Sequence, residues 1–359
     1  MPRHLFVPRW WERSGPAAFG VSAWTLCDGR TDTEAWIRAT YADRALVTRV
    51  GSLHADHATP DDQPTGLATA RSTEPGVMVR MLRLARLTDD GNVLAIGASS
   101  GYACAVLCER SGHRQVSCLE SDEYLAKSAI DRLAGIGLHP GVMHGELTEP
   151  LPGRYDRIVS GLAVGAIPAS WLAGMAPGGR LVAPIAGTTL ILTAEATPDG
   201  GASGRTEWDQ ATLTPAGLGP EYPVGWLQRF TAHRDADGEQ VSAGRYPVVD
   251  VRHAPDLYSA LGVTVPGIEH DYASGPDGRR TAWMVHPDGS WARATGYGDD
   301  PPAVHQSGPR RLWDLLDDLR ACWLRHGSLP VHGAAATLGP DGTVELSHAW
   351  WRATLPAAT

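Results

Sequence analysis

The stretch Asn92–Leu107, NVLAIGASSGYACAVL, decides how the rest of the chain is read. Val93–Ile96 is a short apolar run of the kind that buried parallel strands carry. A turn of small residues follows (Gly97, Ala98, Ser99, Ser100, Gly101), and a helical pattern begins at Tyr102. In that order the three pieces bring backbone N–H groups and a helix N-terminus to one place, where glycines let a ligand lie against bare backbone. The turn lacks the GxGxxG spacing that a dinucleotide requires. The next strand, Gln115–Glu120, ends in an acid at roughly 20 residues from the turn, where a carboxylate can accept both hydroxyls of an adenosine ribose. S-adenosylmethionine has a ribose and no phosphate, and it suits this combination. An ordinary strand–helix corner is the plain alternative.

Outward from this turn, strands and helices alternate. STEPGVMVRMLRLARLTDDG, from Ser72, predicts a helix with Val77, Met81, Leu84 and Leu87 on its apolar face and Pro75 near its start. Asp122–Gly137 reads as a helix ending at glycine, Tyr155–Ala163 as a strand, and Ile167–Ile185 as a short helix, a Pro-Gly-Gly turn and a further strand. TTLILTAEA is a sheet partner, and Thr197–Asp209 reads as a loop. The pattern predicts an open, mostly parallel α/β sheet with helices on both faces, Rossmann-like, and ligands at the strand ends. Residues 1–66 read as an irregular N-terminal segment, with Asp32–Thr48 a helix running into an extended piece and His54–Gly66 a surface loop. Residues 67–235 form the cofactor domain on this reading. Residues 236–359 form a smaller α+β unit, with a hairpin around Pro287-Asp288-Gly289 and an amphipathic helix within Gly308–Gly327.

Composition narrows the function. The 359 residues carry 43% hydrophobic and 20% charged side chains and a net charge of −9. Phosphate-backbone binding needs clustered cations, so nucleic acid is not expected as a partner. No apolar run approaches the length of a membrane span, and the opening residues lack a secretory core. A cytoplasmic protein without a membrane partner is expected. The five cysteines (Cys27, Cys104, Cys108, Cys118, Cys322) are scattered and odd in number, which predicts reduced thiols. Cys104 and Cys108 read as buried packing, His54 and His57 as loop residues, and no metal site is expected.

Several blocks taken together resemble the protein-L-isoaspartate O-methyltransferase family. They are RHLFVPR (Arg3–Arg9), STEPGVMVRML, VLAIGASSGY, LES around Glu120, HGEL (His144–Leu147), and YDRIVSGLAVGAIPASWLAGMAPGGRLVAPI. YADRALVT and GSWA…HQSGPRRLWDLL further resemble the subset that acts with ATP-grasp peptide maturases on ribosomally made peptides. The resemblance implies a methyltransferase fold with S-adenosylmethionine held by Gly97, Ala98, Ser99, Gly101, Tyr102, Glu120, Ser121, Gly145 and Glu146. It implies Thr73, beside Ser72, at the active site, where the Thr73 hydroxyl holds the substrate carboxylate. An N-cap on the following helix is the competing role for Thr73. The chain departs from the family at Ala95, Ser99, Glu146, Thr73 and Glu74, where the family carries Glu, Gly, Asp, Ser and Gln.

The implied reaction methylates an aspartate carboxylate, which has a pKa near ~4 and needs no general base at neutral pH. The implied substrate is a precursor peptide, the product an aspartimide or isoaspartate, and a further partner a peptide-modifying ligase of the same pathway. A general isoaspartyl repair enzyme and a catalytically weakened peptide-binding scaffold are the alternatives. The tryptophans at 283, 291, 313, 323, 350 and 351 suggest that the C-terminal unit docks the peptide. Deletion of residues 240–359 is then expected to spare cofactor binding. An acidic protein is expected to favour a basic or neutral peptide.

Overall fold

A computed structural model describes residues 1–15, 21–216 and 226–357. The N-terminal part contains β1 (Arg9–Arg13), β2 (Ser22–Asp28), α1 (Thr33–Tyr41), β3 (Leu46–Val50), β4 (Leu53–His54), β5 (Thr65–Gly66), β6 (Ala68–Ser72) and α2 (Pro75–Ala85). The segment is therefore not irregular. Its strands form a sheet in the order β4-β3-β1-β2-β5, with β6 pairing on β3. The strands are two to seven residues long, and polar or charged residues interrupt them, so no long apolar run announces them. Trp11, Trp24, Val47 and Val50 form a small core of their own. The pairing of β6 carries this sheet past the expected boundary at residue 66.

The central layer follows: β7 (Val93–Ile96), α3 (Tyr102–Ser111), β8 (Val116–Glu120), α4 (Glu123–Ala134), β9 (Gly141–His144), β10 (Tyr155–Ser160), α5 (Ala169–Ala173), β11 (Met175–Pro184), β12 (Leu190–Ala196) and β13 (Ala202–Gln210). Strands β7 to β11 run parallel in the order β9-β8-β7-β10-β11. This is the Rossmann-like, methyltransferase-type sheet that the sequence predicts. Both faces are covered. Residues of alternate parity on the strands pack on opposite sides: Ile158 joins Leu94, Ile96 and Trp171, while Val159 joins Val77 and Met81 of α2. The other flank of α3 and α4 packs with Phe6, Val7 and Trp10. The Pro-Gly-Gly turn expected after α5 lies inside β11, where Gly178 takes up the irregularity with φ +72°.

The expected loop at Thr197–Asp209 is instead mostly β13, paired antiparallel to β12. Its glycines misled the reading. Gly204 is required by close approach, since a Cβ there would stand 1.8 Å from the Thr193 carbonyl oxygen.

The C-terminal part contains α6 (Trp226–Ala232), β14 (Gln240–Ala243), α7 (Pro255–Thr264), β15 (Glu269–Ser274), β16 (Arg279–Val285), β17 (Trp291–Tyr297), β18 (Ala303–Ser307), α8 (Leu312–His326), β19 (Ala335–Leu338), β20 (Val344–His348) and β21 (Trp351–Leu355). The predicted hairpin is β16–β17. The predicted amphipathic helix is α8, which buries Leu312 and Leu316 but leaves Trp323 at the surface. Strands β14 to β18 make a separate five-stranded sheet. Strands β19 to β21 do not belong to it. They extend the central sheet from β13, making ten strands in all. Sheet pairing thus crosses the expected boundary at 235/236 as well. One core runs from Trp171 and Leu192 through Leu257 and Met284 to Leu316. Trp291, Trp313 and Trp351 are buried in packing, and Trp350 is exposed.

Two expectations about polar and sulfur side chains are corrected. Cys104 of α3 and Cys118 of β8 are joined as a disulfide, with Cα atoms 6.7 Å apart. The helix lies directly on the strand that follows it, which their spacing in sequence does not reveal. His54 is not a loop residue. It is buried at the end of β4, with Nε2 3.2 Å from Asp122.

Candidate functional site

Strand order reverses at β7, which has β8 on one side and β10 on the other. Connections on both sides diverge there and leave a crevice at the carboxyl ends of the strands. The floor is tight. Gly161 N–H, just past β10, donates to the Ile96 carbonyl at 2.8 Å, and a Cβ on Gly161 would meet the Gly97 oxygen at 3.2 Å. Gly97 (φ +81°) and Gly101 (φ +90°) make the turn. Side chains there would collide with Leu162 and with Ala129 and Phe6 respectively. Ser99 is also left-handed, at φ +48°, a conformation that costs an L-residue about 1–2 kcal/mol. Its hydroxyl donates to the Arg71 carbonyl at 2.7 Å, so the side chain is tied to β6.

Glu120 ends β8 almost fully buried. One carboxylate oxygen accepts the Ser99 N–H at 2.7 Å and the other accepts the Asp122 N–H at 3.1 Å. Burial pushes this carboxyl up, and the two N–H groups act against that shift. A carboxylate has about four lone-pair sites, so capacity remains on both oxygens. Asp122 caps α4 through the Leu125 N–H and pairs with Arg49 and His54. Burial raises the Asp122 carboxyl, but the His54 contact, the helix N–H and Arg49 outweigh it and leave it at about 2.

The crevice encloses about 320 Å³, lined among others by Arg49, Arg71, Ser99, Glu120, Asp122 and Glu146. Ser121 and Glu146 also line a neighbouring slot of about 230 Å³ against Leu147, Val164 and Trp171. The Trp171 indole is fixed by its N–H to the Leu147 carbonyl at 2.7 Å. On the other side, Thr69, Arg71, Thr214 and Pro215 are shared with a third cavity of about 380 Å³.

Among the residues expected at the site, Ser99, Glu120, Ser121 and Glu146 come together on the crevice walls. Gly97, Ala98 and Gly101 shape the turn beneath, and the Gly145 N–H donates to the Glu120 carbonyl at 3.1 Å. Tyr102 faces elsewhere. Its ring meets Phe6 at 6.0 Å and lies under the Arg3 guanidinium, on the side covered by the N-terminal segment. Ser72 is buried with an unpartnered hydroxyl. Thr73 is half-buried at the β6–α2 junction and lines none of these cavities. It is not the N-cap of α2. That position is Glu74, whose side chain makes no cap hydrogen bond. Arg3 holds the junction, donating to the carbonyls of Ser72 and Thr73 at 3.0 Å each. Sequence reasoning missed Arg49, Arg71 and Asp122. The adjacency of Asp122 to the Glu120 strand end was the one signal available.

Residues 47–203 match the family described as protein-L-isoaspartate(D-aspartate) O-methyltransferase. A protein-L-isoaspartate O-methyltransferase of Rhodopseudomonas palustris is 36% identical over 129 residues, covering 35% of this chain and 58% of its own length. One from Nitrosospira multiformis is 32% identical over 134 residues, covering 36% and 56%. The chain therefore spans a little over half the length of these relatives. A solved protein-L-isoaspartate O-methyltransferase structure overlays with a TM-score of 0.49 at 17% identity, covering 97% of this chain and 92% of the other. No helix among the described residues is long and apolar enough to cross a membrane. Over residues 47–203, the segment that builds the crevice, this chain is similar to the protein-L-isoaspartate O-methyltransferase family.

Proposed function

We propose that the chain is an S-adenosylmethionine-dependent carboxyl O-methyltransferase acting on isoaspartyl or aspartyl residues of a peptide or protein. The observation that carries this reading is Glu120, buried at the end of β8 with one oxygen held by the Ser99 N–H and spare lone pairs aimed at the crevice. The lining favours a cationic nucleoside over a phosphate. Arg49 and Asp122 pair with each other, which leaves Glu120 and Glu146 against Arg71. In this reading Glu120 holds the ribose, and the slot beside Leu147 and Trp171 takes the adenine. The Gly97–Gly101 turn backs the methionine part, and Ser121 and Glu146 close the rim. Tying Ser99 Oγ to Arg71 keeps the added Cβ and hydroxyl from filling the space that a glycine would leave.

Bound S-adenosylmethionine supplies the methyl group, whose C–S bond breaks as a carboxylate oxygen forms the new C–O bond. The protein's contribution is orientation and exclusion of water, since the acceptor is already an anion at neutral pH. Titrating the protein with S-adenosylmethionine by calorimetry, then following an isoaspartyl peptide by mass spectrometry, tests the proposal. Saturable binding and gain of one methyl are expected. Failure of the cofactor to bind would sink it.

A second acceptor, an aspartate of a ribosomally made precursor peptide, has its own support. Residues Tyr258 to Glu269, outside the family match, wall the cavity that opens from the crevice. On this reading the methyl ester is displaced by the following backbone nitrogen, methanol leaves, and a succinimide remains. A peptide-modifying ligase of the same pathway would be a partner. Methylation of an ordinary aspartate in such a peptide, with no methylation of a generic isoaspartyl peptide, distinguishes the two.

A further inference from the structure

The third cavity is walled by all three parts of the chain. Arg13, Trp24 and Arg71 come from the N-terminal sheet, Ala163 and Ile185 from the central layer, and Tyr258 and Glu269 from the C-terminal part. Its volume of about 380 Å³ lies in the range of ligand pockets, roughly 300–1,000 Å³. Arg71 lines this cavity and the crevice alike, so it stands at the passage between them. Its side chain is exposed to solvent through the opening.

What singles out Arg71 is its lack of a partner. Neighbouring arginines are spoken for: Arg9 by Asp28, Arg49 by Asp122, Arg132 by Asp56, and Arg3 by a set of backbone carbonyls. The Arg71 guanidinium makes no hydrogen bond or ion pair with a described residue; only its carbonyl is used, by Ser99. The nearest charges are Glu74, which favours its positive form, and Arg13, which opposes it. Arg13 lies over the Trp24 ring, 5.7 Å from the centroid, and likewise has no carboxylate partner among the described residues. Two guanidinium groups thus face one cavity in a chain of net charge −9. A planar guanidinium fork recognises carboxylates bidentately.

We infer that Arg71 is a specificity-determining residue that receives a second carboxylate of the acceptor peptide, selecting acidic peptides. The inference rests on the methyltransferase reading above. The reacting carboxylate is not the one gripped, because charge-assisted bonds to both oxygens would lower the nucleophilicity of the oxygen that must attack. The gripped group is an Asp or Glu side chain flanking the methylated residue, with Arg13 adding field from the far wall. This reverses the expectation of a basic or neutral peptide.

The test uses the full chain and two labelled isoaspartyl peptides, one with Asp and Glu flanks and one with Asn and Gln. Wild type is expected to bind the acidic peptide more tightly by anisotropy, with a KM at least ten-fold lower. Arg71→Ala should raise that KM ten-fold or more and bring it within two-fold of the neutral peptide's. Arg71→Lys should recover part of the loss, and thermal melts of both variants should match wild type. Equal binding of the two peptides by wild type overturns the inference. So does an Arg71→Ala variant that loses cofactor affinity instead of peptide affinity. A wild-type protein that binds no S-adenosylmethionine overturns the functional reading instead, and the anisotropy difference still decides the role of Arg71.

Discussion

Glu120 and Ser99 share one hydrogen bond, and each reports on the other. Glu120→Gln replaces one acceptor oxygen with an N–H donor facing the Ser99 or Asp122 N–H. Cofactor affinity is expected to fall at least ten-fold by calorimetry, about what loss of a hydrogen bond to a charged group costs, with unchanged circular dichroism. Ser99 separates strain from bonding. Ser99→Ala keeps the left-handed backbone and loses the bond to Arg71, which is expected to destabilise by about 1 kcal/mol in denaturant melts. Ser99→Gly loses the same bond but relieves the backbone, so stability is expected to stay within about 1 kcal/mol of wild type. Glu120 was legible because a βαβ unit fixes how far one strand end lies from the preceding turn. Tyr102 and Ser72 were not, because a matched position does not say which way a side chain points. Arg71 left no trace in sequence: a lone arginine reads the same on a surface and in a cavity wall.

At the scale of elements, the corner between β8 and α4 ties the N-terminal sheet to the crevice through Asp122, Arg49 and His54. The Asp122 carboxyl sits at about 2 when folded, below its ordinary value near ~4. A depressed carboxyl contributes stability that is fully present above the unfolded value and is lost as pH falls from about 4 to 2. Asp122→Asn should therefore be less stable by up to about 2 kcal/mol at pH 7, and the gap should close by about pH 2. Paired denaturant titrations at the two ends of that range check this. The β7-to-β11 core was readable because each buried strand is a short apolar run bounded by turn residues. β13 was not, since glycine and arginine dilute its pattern and its pairing partners β12 and β19 are what make it a strand. Gly204→Ala should cost about 3 kcal/mol or more, because the added methyl meets backbone on β12. A thermal melt reads this directly.

At the scale of the molecule, the chain does not divide where its composition changes. β19 to β21 complete the central sheet, and the core that begins under β10 ends under α8. Removing residues 240–359 strips three strands from the central sheet and the whole of the five-stranded sheet, and exposes the edge of β13 together with the apolar face beneath it. Instead of sparing cofactor binding, the truncation is expected to give insoluble protein or a loss of cooperative unfolding, readable by size-exclusion chromatography and melts. The long-range pairing was invisible in sequence because antiparallel strands at an edge carry no record of which sheet they join.

The cavity beside Arg71 is closed by Leu355 of the last strand and opened by Arg13 of the first. On a ribosome Arg13 emerges long before Leu355, which lies some three hundred residues further along the chain. The acceptor pocket therefore cannot exist on a partly made chain, even one whose Gly97–Gly101 turn and Glu120 have already emerged. The wall of this cavity is complete only once β21 has joined it.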